Sequence, residues 1–390
     1  MKKFFAVIVL CWNVLFGQSD VVTPLGPDGG IITLLEGSLN DDVVFAVVRD
    51  VGLYRSVDGG ELWQKIALPL GTNYNSIDIL DFAFHPANAD SILMATSLGL
   101  FGSGDRGATW NQIAGFPIPR YSVEYVPANP GIVFGSDENG VLRSTDGGKF
   151  WMPMKDGQYF GNRTVRRIAI HPSDVSDIRL VATTGFDDTT GIFLSTNGGV
   201  NWSPFNKSLP PGNARRIYAV EMDSTGLGTK NFRVIIGTAQ GMYGAQTDQR
   251  ESSFVAIQNS NTPINGVITC GVLVYDKFDT TVAGGEHDFA FYYASNGSEY
   301  DGVPKTYSKN DGIFKISSVK GSILTLSPLS PPPVIRVFKE LSDVTSIHVP
   351  THSNKLKVYA GTTNGVFISY DGGSTWQRKN NGISNTIVRN

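Results

Sequence analysis

The 390-residue sequence contains little cysteine, histidine and charge. It has 2 Cys and 5 His, and only 17% of its residues are Asp, Glu, Lys or Arg. The formal net charge of −3 provides no general attraction to nucleic acid or to an anionic membrane surface. No His or Cys spacing predicts a metal site, and we expect neither a metal nor another cofactor. In contrast, 44 glycines and 41% apolar residues indicate a turn-rich, all-β protein with a large core.

The N-terminal segment has the pattern of a secretory signal peptide. Two lysines precede an apolar run over residues 4–17, and polar residues follow it. The run is shorter than the about 20 residues of a membrane span, so we expect cleavage after Gly17 and a mature chain, 18–390, without a span. Lipoprotein processing at Cys11 is a weaker alternative. The sequence predicts a secreted, periplasmic or cell-surface protein, in which Cys270 is the only cysteine and no intrachain disulfide forms.

One motif, Ser-x-Asp-x-Gly-x-x-Trp, occurs five times, with Asn in place of Asp in one copy. It contains five of the six tryptophans of the chain. The carboxylate can accept backbone N–H groups in a tight turn, the glycine permits a positive φ, and the indole can pack on the adjacent sheet. The role that these residues predict is therefore structural. The five sets are Asp58, Gly60 and Trp63; Asp105, Gly107 and Trp110; Asp146, Gly148 and Trp151; Asn197, Gly199 and Trp202; and Asp371, Gly373 and Trp376.

Each motif follows three short strands and precedes a fourth, so a repeat contains four strands. Two further repeats keep the strands but have lost the motif. A four-stranded repeat of this length is typical of one propeller blade. The sequence therefore predicts seven blades, at about 29–66, 77–113, 120–154, 164–205, 215–257, 265–326 and 343–378.

The motif makes the chain resemble the Asp-box (BNR) repeat propellers. That group includes sortilin-type ectodomains, photosystem II stability/assembly-factor-type propellers, xyloglucanase-type glycosidases and sialidases. The resemblance implies a single seven-bladed β-propeller of four-stranded antiparallel blades with Asp-box turns. Because members of the group share a fold without sharing an activity, it does not determine the function.

A long segment at 285–311 is the first candidate for binding. In each blade the strands are lettered A to D from the innermost to the outermost, and the Asp boxes are the C–D turns. The sequence predicts a loop here, on the face of the propeller opposite the Asp boxes, where the B–C and D–A connections lie. It is rich in aromatic and acidic residues that could contact a sugar or a peptide. A lid packed over a degenerate blade is an equally good interpretation. The candidate residues are Glu286, His287, Asp288, Tyr292, Tyr293 and Tyr300.

Arginines near the starts of the innermost strands form the second candidate. Grouped at the channel mouth on the same face, they could attract an anionic group such as a carboxylate. Solvated strand ends are the alternative interpretation for each of them. The proline-rich segment 327–333 is predicted to be a rigid D–A connector. The candidate arginines are Arg120, Arg163, Arg166 and Arg215, with Arg167, Arg216 and Arg389 in similar positions.

The sequence favours a binding protein over an enzyme. Sialidases usually have six blades and an Arg-Ile-Pro motif, which the seven repeats and the segment 117–120, Pro-Ile-Pro-Arg, do not match. Xyloglucanase-type enzymes place their cleft between two propellers. We therefore expect a non-catalytic, monomeric propeller that binds a protein or polysaccharide. The alternative is a glycoside hydrolase or sialidase-like enzyme, which would need a pair of acids; the B–C connections offer Asp137, Glu138, Asp187 and Asp188. His85 and His171 occupy equivalent positions before prolines and are predicted to form strand-end hydrogen bonds.

Overall fold

The described part of the protein consists of strands and turns. The structure is a computed structural model. No helix in the described ranges is long and apolar enough to cross a membrane. The predicted signal peptide and the C-terminal residues 384–390 lie outside those ranges. The structure describes residues 30–38, 40, 43–68, 77–154, 164–171, 178, 180–184, 191–210, 217–223, 232–247, 253–256, 258–259, 262–263, 268–279, 286–296, 311–317, 334–338, 343–350 and 356–383.

Within these ranges the strands form seven four-stranded antiparallel sheets and one two-stranded sheet, β21–β22. In every four-stranded sheet the strands are adjacent in chain order. The strands are, sheet by sheet, β1 Ile32–Gly37, β2 Val44–Val48, β3 Gly52–Ser56 and β4 Gln64–Lys65; β5 Ile79–Phe84, β6 Ile92–Thr96, β7 Gly99–Ser103 and β8 Asn111–Gln112; β9 Ser122–Tyr125, β10 Val133–Asp137, β11 Gly140–Ser144 and β12 Met152–Pro153; β13 Val165–Ile170, β14 Leu180–Thr184, β15 Ile192–Ser195 and β16 Ser203–Pro204; β17 Ile217–Asp223, β18 Phe232–Thr238, β19 Gly241–Thr247 and β20 Val255–Ala256; β21 Gln258–Asn259 and β22 Thr262–Pro263; β23 Ile268–Asp279, β24 Glu286–Asn296, β25 Asp311–Ser317 and β26 Val334–Phe338; and β27 Val344–His348, β28 Val358–Thr362, β29 Gly365–Ser369 and β30 Gln377–Arg378.

The first strands of the sheets contact one another in sequence order, and β27 contacts β1. The prediction of an all-β propeller with four-stranded antiparallel blades is therefore confirmed. Five of the second strands, β2, β6, β10, β14 and β28, are buried along their whole length. Hydrophobic clusters join the first sheet to the second and to the seventh, and such burial on both faces of a sheet agrees with the low charge of the sequence.

Aromatic residues fill the spaces between neighbouring sheets. Between the first two sheets, the Phe45 and Phe82 rings stack with centroids 4.9 Å apart, and Trp110 meets Phe45 edge to face at 5.8 Å. Full burial of each such ring contributes on the order of 1.5–3 kcal/mol to stability. The repeated tryptophan therefore belongs to the core.

The repeated motif folds into the same hydrogen-bonded turn in all five copies. In the second sheet, the Ser103 hydroxyl donates to Asp105 at 2.8 Å and accepts the Gly107 N–H at 2.7 Å, while Asp105 accepts the Thr109 N–H at 2.9 Å. Gly107 has a φ of +74°, and a Cβ there would collide with the Phe45 ring. The other copies repeat these bonds.

The sixth sheet differs from the prediction in two ways. Residues 286–296, predicted to lie in a loop, form β24, which pairs with β23 and β25. The alternation of Phe289, Phe291 and Tyr293 has the two-residue period of a strand. The fourth strand, β26, follows the proline-rich segment 327–333 instead of preceding it. That segment, itself outside the described residues, therefore connects the third and fourth strands of this sheet and is not a D–A connector.

The first and seventh sheets are joined by side-chain and backbone contacts, and among the described residues each of these two sheets is built from consecutive strands. The Trp63 N–H donates to Asn381 O at 2.9 Å, and the Trp63 indole donates to Lys379 O at 3.0 Å. In the other four copies the indole donates to the glycine of its own turn. Lys357 Nζ donates to Gly59 O at 2.8 Å, and Lys379 forms an ion pair with Glu61 at 2.7 Å. These contacts hold residues near the two ends of the described chain together.

Candidate functional site

The innermost strands share an irregularity that positions their side chains. Six of the seven have a register shift near the start: β1, β5, β13, β17, β23 and β27. The residues that follow the shift occupy equivalent places relative to the second strand of each sheet. Asp81 pairs with Ala95, Arg167 with Thr183 and Ser346 with Gly361, and in β9 Ser122 pairs with Ser136.

Two residues further along, the same strands carry a second set of polar side chains. Glu36, Glu124, Glu221 and His348 are equivalent in register on β1, β9, β17 and β27. Together with Asp81, Ser122, Arg167 and Ser346 they line a cavity of about 400 Å³. Because these strands are the innermost of their sheets, we call this space the channel cavity.

The channel cavity contains four carboxyl groups and one guanidinium from the described residues. Arg167 Nη1 lies 3.6 Å from Asp81 Oδ1, and Asp81 also accepts the Val123 N–H at 2.9 Å. Glu36 accepts the Phe82 N–H at 3.0 Å. These contacts link the first four sheets across the cavity wall.

Burial controls the ionisation of these carboxyl groups. It raises the pKa of Glu221 to about 8, with Arg167 opposing the shift. The pKa of Glu124 is raised well above its usual value, first by burial and then by the nearby Asp81, Glu221 and Glu36. Burial and then Asp81 raise the pKa of Glu36, and burial raises that of Asp81. Glu221 therefore holds a proton near neutral pH, and the shifts of the other three carboxyl groups favour their protonated forms.

A second group of described side chains lies on the face where the inner strands begin. Phe116 is 82% exposed in the connection between the second and third sheets, and Leu98 is 43% exposed in the neighbouring β6–β7 turn. Arg120 forms an ion pair with Glu138 at 3.2 Å, and the Arg166 guanidinium lies 4.4 Å from the centroid of the Tyr121 ring. We call this set the mouth patch: Leu98, Phe116, Arg120, Tyr121, Glu138 and Arg166.

The predicted arginines do not form an isolated cationic group in the described residues. Arg120 contacts Glu138, Arg166 lies over Tyr121, and Arg167 contacts Asp81. Each guanidinium thus has an anionic or aromatic neighbour, which reduces its availability to an anion from solution. Arg163, Arg215, Arg216 and Arg389 lie outside the described residues.

The structure places the other predicted site residues differently. Glu286, His287, Asp288 and Tyr292 lie on β24, and Tyr293 of that strand is buried, with a pKa raised by burial. Asp137 is buried and accepts the Asn139 N–H at 2.7 Å, which gives it a role in a turn. His85 Nδ1 accepts the Ala87 N–H at 3.1 Å, as predicted for a strand-end histidine. Tyr300, Asp187 and Asp188 lie outside the described residues.

Sequence reasoning missed the carboxyl groups of the channel cavity. Glu36, Asp81, Glu124 and Glu221 each interrupt an otherwise largely apolar first strand. An alignment of the first strands of the repeats shows the signal. Each of the first five strands carries a charged residue at one of two neighbouring register positions. The glutamates share one of these positions, two residues beyond that of Asp81 and Arg167.

Comparison with known proteins relates the chain to several propellers. No family model matches it. The chain is 28% identical over 217 residues to a sialidase of Bacteroides fragilis, covering 49% of this chain and 37% of that protein. It is 28% identical over 88 residues to vacuolar protein sorting/targeting protein 10 of Kluyveromyces lactis, covering 21% of this chain and 5% of that protein. The chain thus spans well under half the length of either relative.

Solved structures show the same fold. The GH74 enzyme of Niastella koreensis superposes with a TM-score of 0.61 at 15% identity, covering 91% of this chain and 55% of that one. YCF48 bound to D1 peptide gives 0.57 at 15% identity, covering 88% and 93%. PorZ, a surface component of the type-IX secretion system of Porphyromonas gingivalis, gives 0.56 at 14% identity, covering 89% and 47%. The chain therefore resembles the Asp-box (BNR) propellers of the sortilin, YCF48 and xyloglucanase types.

Proposed function

We propose that this protein is a secreted or cell-surface, non-catalytic propeller of seven blades that binds a protein or glycan partner. The binding face is the one opposite the Asp-box turns, where the B–C and D–A connections lie. The N-terminal segment with the pattern of a signal peptide supports the proposed location. Residues 286–288, 292 and 300 and the undescribed arginines remain candidates for additional contacts.

The mouth patch is the observation that carries this proposal. The exposed Phe116 ring belongs to the same connection as Arg120 and Tyr121, and protein interfaces are enriched in aromatic and arginine side chains. A Cβ at Gly99 would lie 3.4 Å from Ile118 Cγ2, so the connections that bear Leu98 and Phe116 lie close together. Connections that support each other lose little entropy when a partner covers them.

The comparisons are compatible with a binding role and also with an enzyme. YCF48 was solved with a bound peptide, whereas the GH74 enzyme and the sialidase are named as enzymes. At these identities the structural likeness supports the fold only. The choice between the two roles therefore rests on the residues of this chain and on experiment.

Array binding with matched variants tests the proposed face. We expect the protein to capture a ligand from a peptide or glycan array, and Phe116→Ser to reduce that capture about tenfold or more, because central aromatic side chains dominate interface energetics. Phe150→Ser is the matched control: Phe150 is 66% exposed, but it lies in the Asp-box turn of the third sheet. Capture that survives Phe116→Ser and fails with Phe150→Ser would place the binding site on the opposite face.

A glycoside hydrolase is the second candidate, favoured by four carboxyl groups that line one cavity. Glu221, with a pKa of about 8, could hold a proton at neutral pH, while Asp81 contacts Arg167. An enzyme of this kind would turn over members of an oligosaccharide panel and lose that activity with Glu221→Gln, or with Asp187→Asn or Asp188→Asn for the predicted B–C acids. Absence of turnover across the panel leaves binding as the function.

A further inference from the structure

The channel cavity has an excess of negative groups. Glu36, Asp81, Glu124 and Glu221 come from four different sheets, and Arg167 is the one cation among the described lining residues. If every group were ionised, this set would carry a net charge of −3. Partial withdrawal from solvent makes such an excess unfavourable unless protons or another cation compensate it.

Two of these carboxyl groups have no hydrogen-bond donor among the described residues. Glu124 and Glu221 line the cavity, and Arg167 acts on Glu221 through its charge alone. Glu36 and Asp81 differ, because each accepts a backbone N–H. Glu124 and Glu221 are half-buried, and carboxyl groups withdrawn from water in this way usually have a hydrogen-bond donor, since an unmade hydrogen bond is costly. Their arrangement points to a donor that arrives with a ligand.

The remaining lining residues define what kind of ligand fits. The described residues contain no group of three His, Cys, Asp or Glu close enough to hold a metal ion. The carboxyl groups are instead distributed along the wall, and Leu34, Phe84 and Ile347 supply apolar surface between them. A volume of about 400 Å³ is within the range of small-molecule sites. A ligand with cationic ends joined by methylene groups matches this wall, because its ends can meet the carboxyl groups and its methylene groups can contact the apolar side chains.

We propose that the channel cavity binds an extended organic cation that carries primary ammonium or guanidinium groups. Glu124 and Glu221 are its principal acceptors, and Glu36 and Asp81 add attraction. The same chemistry is available from a free amine and from a lysine or arginine side chain inserted by a partner. This site is separate from the mouth patch and does not depend on the partner proposed above.

Binding of the cation is coupled to proton release. The titratable groups among the described lining residues are Glu36 on β1, Asp81 on β5, Glu124 on β9, Tyr218 and Glu221 on β17, and His348 on β27, with Arg167 on β13. On β23, the matching register positions hold Cys270 and Val272. Carboxyl groups that hold protons without a ligand release them to solvent when an ammonium group binds. Affinity should therefore rise as the pH rises through the Glu221 pKa of about 8, and the raised pKa of Glu124 acts in the same direction.

Titration calorimetry and a pH-stat measurement test this proposal. The probes are 1,5-diaminopentane and the blocked peptide acetyl-Gly-Gly-Lys-Gly-Gly-amide. We expect saturable binding of at least one probe and proton release near pH 7 that disappears near pH 9. Binding of the diamine alone identifies a free amine as the ligand type, and binding of the peptide alone identifies an inserted side chain. If neither probe binds, the proposal is wrong.

Variants assign the binding to these residues. Glu124→Gln and Glu221→Gln should each weaken binding about tenfold, while Arg167→Gln should tighten it several-fold because it removes the competing cation. Asp90→Asn removes an exposed carboxylate that pairs with Arg106 outside the cavity, and should change nothing. These substitutions are close in shape, and the near-ultraviolet spectrum of the tryptophans checks folding. Equal affinity in the wild type and in both glutamine variants, all folded, would overturn the assignment.

Discussion

Gly382→Ala is expected to destabilise the protein by about 3 kcal/mol or more. Gly382 lies just after β30 with a φ of +91°, and a Cβ at this position would collide with the Trp63 carbonyl oxygen. The obstacle is backbone, which cannot move aside as a flexible side chain can. Relief of the clash would separate Asn381 from Trp63 and break the contact between the seventh and first sheets.

A glycine elsewhere in the ring provides the control for this prediction. Gly147 has a φ of +74°, but a Cβ there would have no heavy atom within 4 Å. Gly147→Ala should therefore cost only the about 1–2 kcal/mol of a left-handed conformation. Chemical denaturation gives both values. Equal losses of unfolding free energy in the two variants would show that the contact at Trp63 contributes nothing specific to closure.

Glu221→Gln is expected to stabilise the protein at alkaline pH and to leave it nearly unchanged near pH 5. The pKa of Glu221 in the folded protein, about 8, exceeds the 4.5 of an unperturbed glutamate, so the folded state holds the proton more tightly. Stability is fully present at low pH and is lost as the pH rises from about 4.5 through 8. Glutamine cannot ionise and avoids this loss, which we place at about 2 kcal/mol because the cavity solvent screens part of the charge.

A second glutamate, Glu61, is expected to show the opposite effect of a glutamine substitution on stability. Hydrogen bonds from Lys379 and Tyr370 lower the pKa of Glu61, so Glu61→Gln should reduce stability at pH 7. Thermal unfolding from pH 5 to 9 measures both variants. A Glu221→Gln variant whose melting temperature follows that of the wild type at every pH would contradict the ionisation assigned to the channel cavity.

The sequence was most informative where structure depends on local contacts. The repeated turn joins Ser103 to Asp105 and Gly107, all within five residues, and its pattern is visible in one stretch of sequence. The strands before each turn were identified for the same reason. The sixth sheet was less accessible because its turn motif is lost, and without that marker the aromatic alternation of 286–296 resembled a binding loop.

The channel cavity could not be predicted because it exists only after the sheets assemble. Glu36 and Glu221 are separated by 185 positions in the sequence, yet they line one space. The same limitation applies to the bond between Trp63 and Lys379, which spans 316 positions. The sequence predicted arginines at the channel mouth. It did not predict that Arg120 pairs with Glu138 or Arg167 with Asp81, because these contacts form only when the strands pack together.

Hydrogen exchange of the complex with a captured ligand tests the proposed binding face most directly. The account predicts slower amide exchange in the connections at 97–99 and 114–121 and in the turn at 137–140, which bear or adjoin the mouth patch. Exchange in the Asp-box turns at 57–62 and 146–151 should be the same with and without ligand. Protection confined to those turns, with no change at the mouth patch, would contradict it.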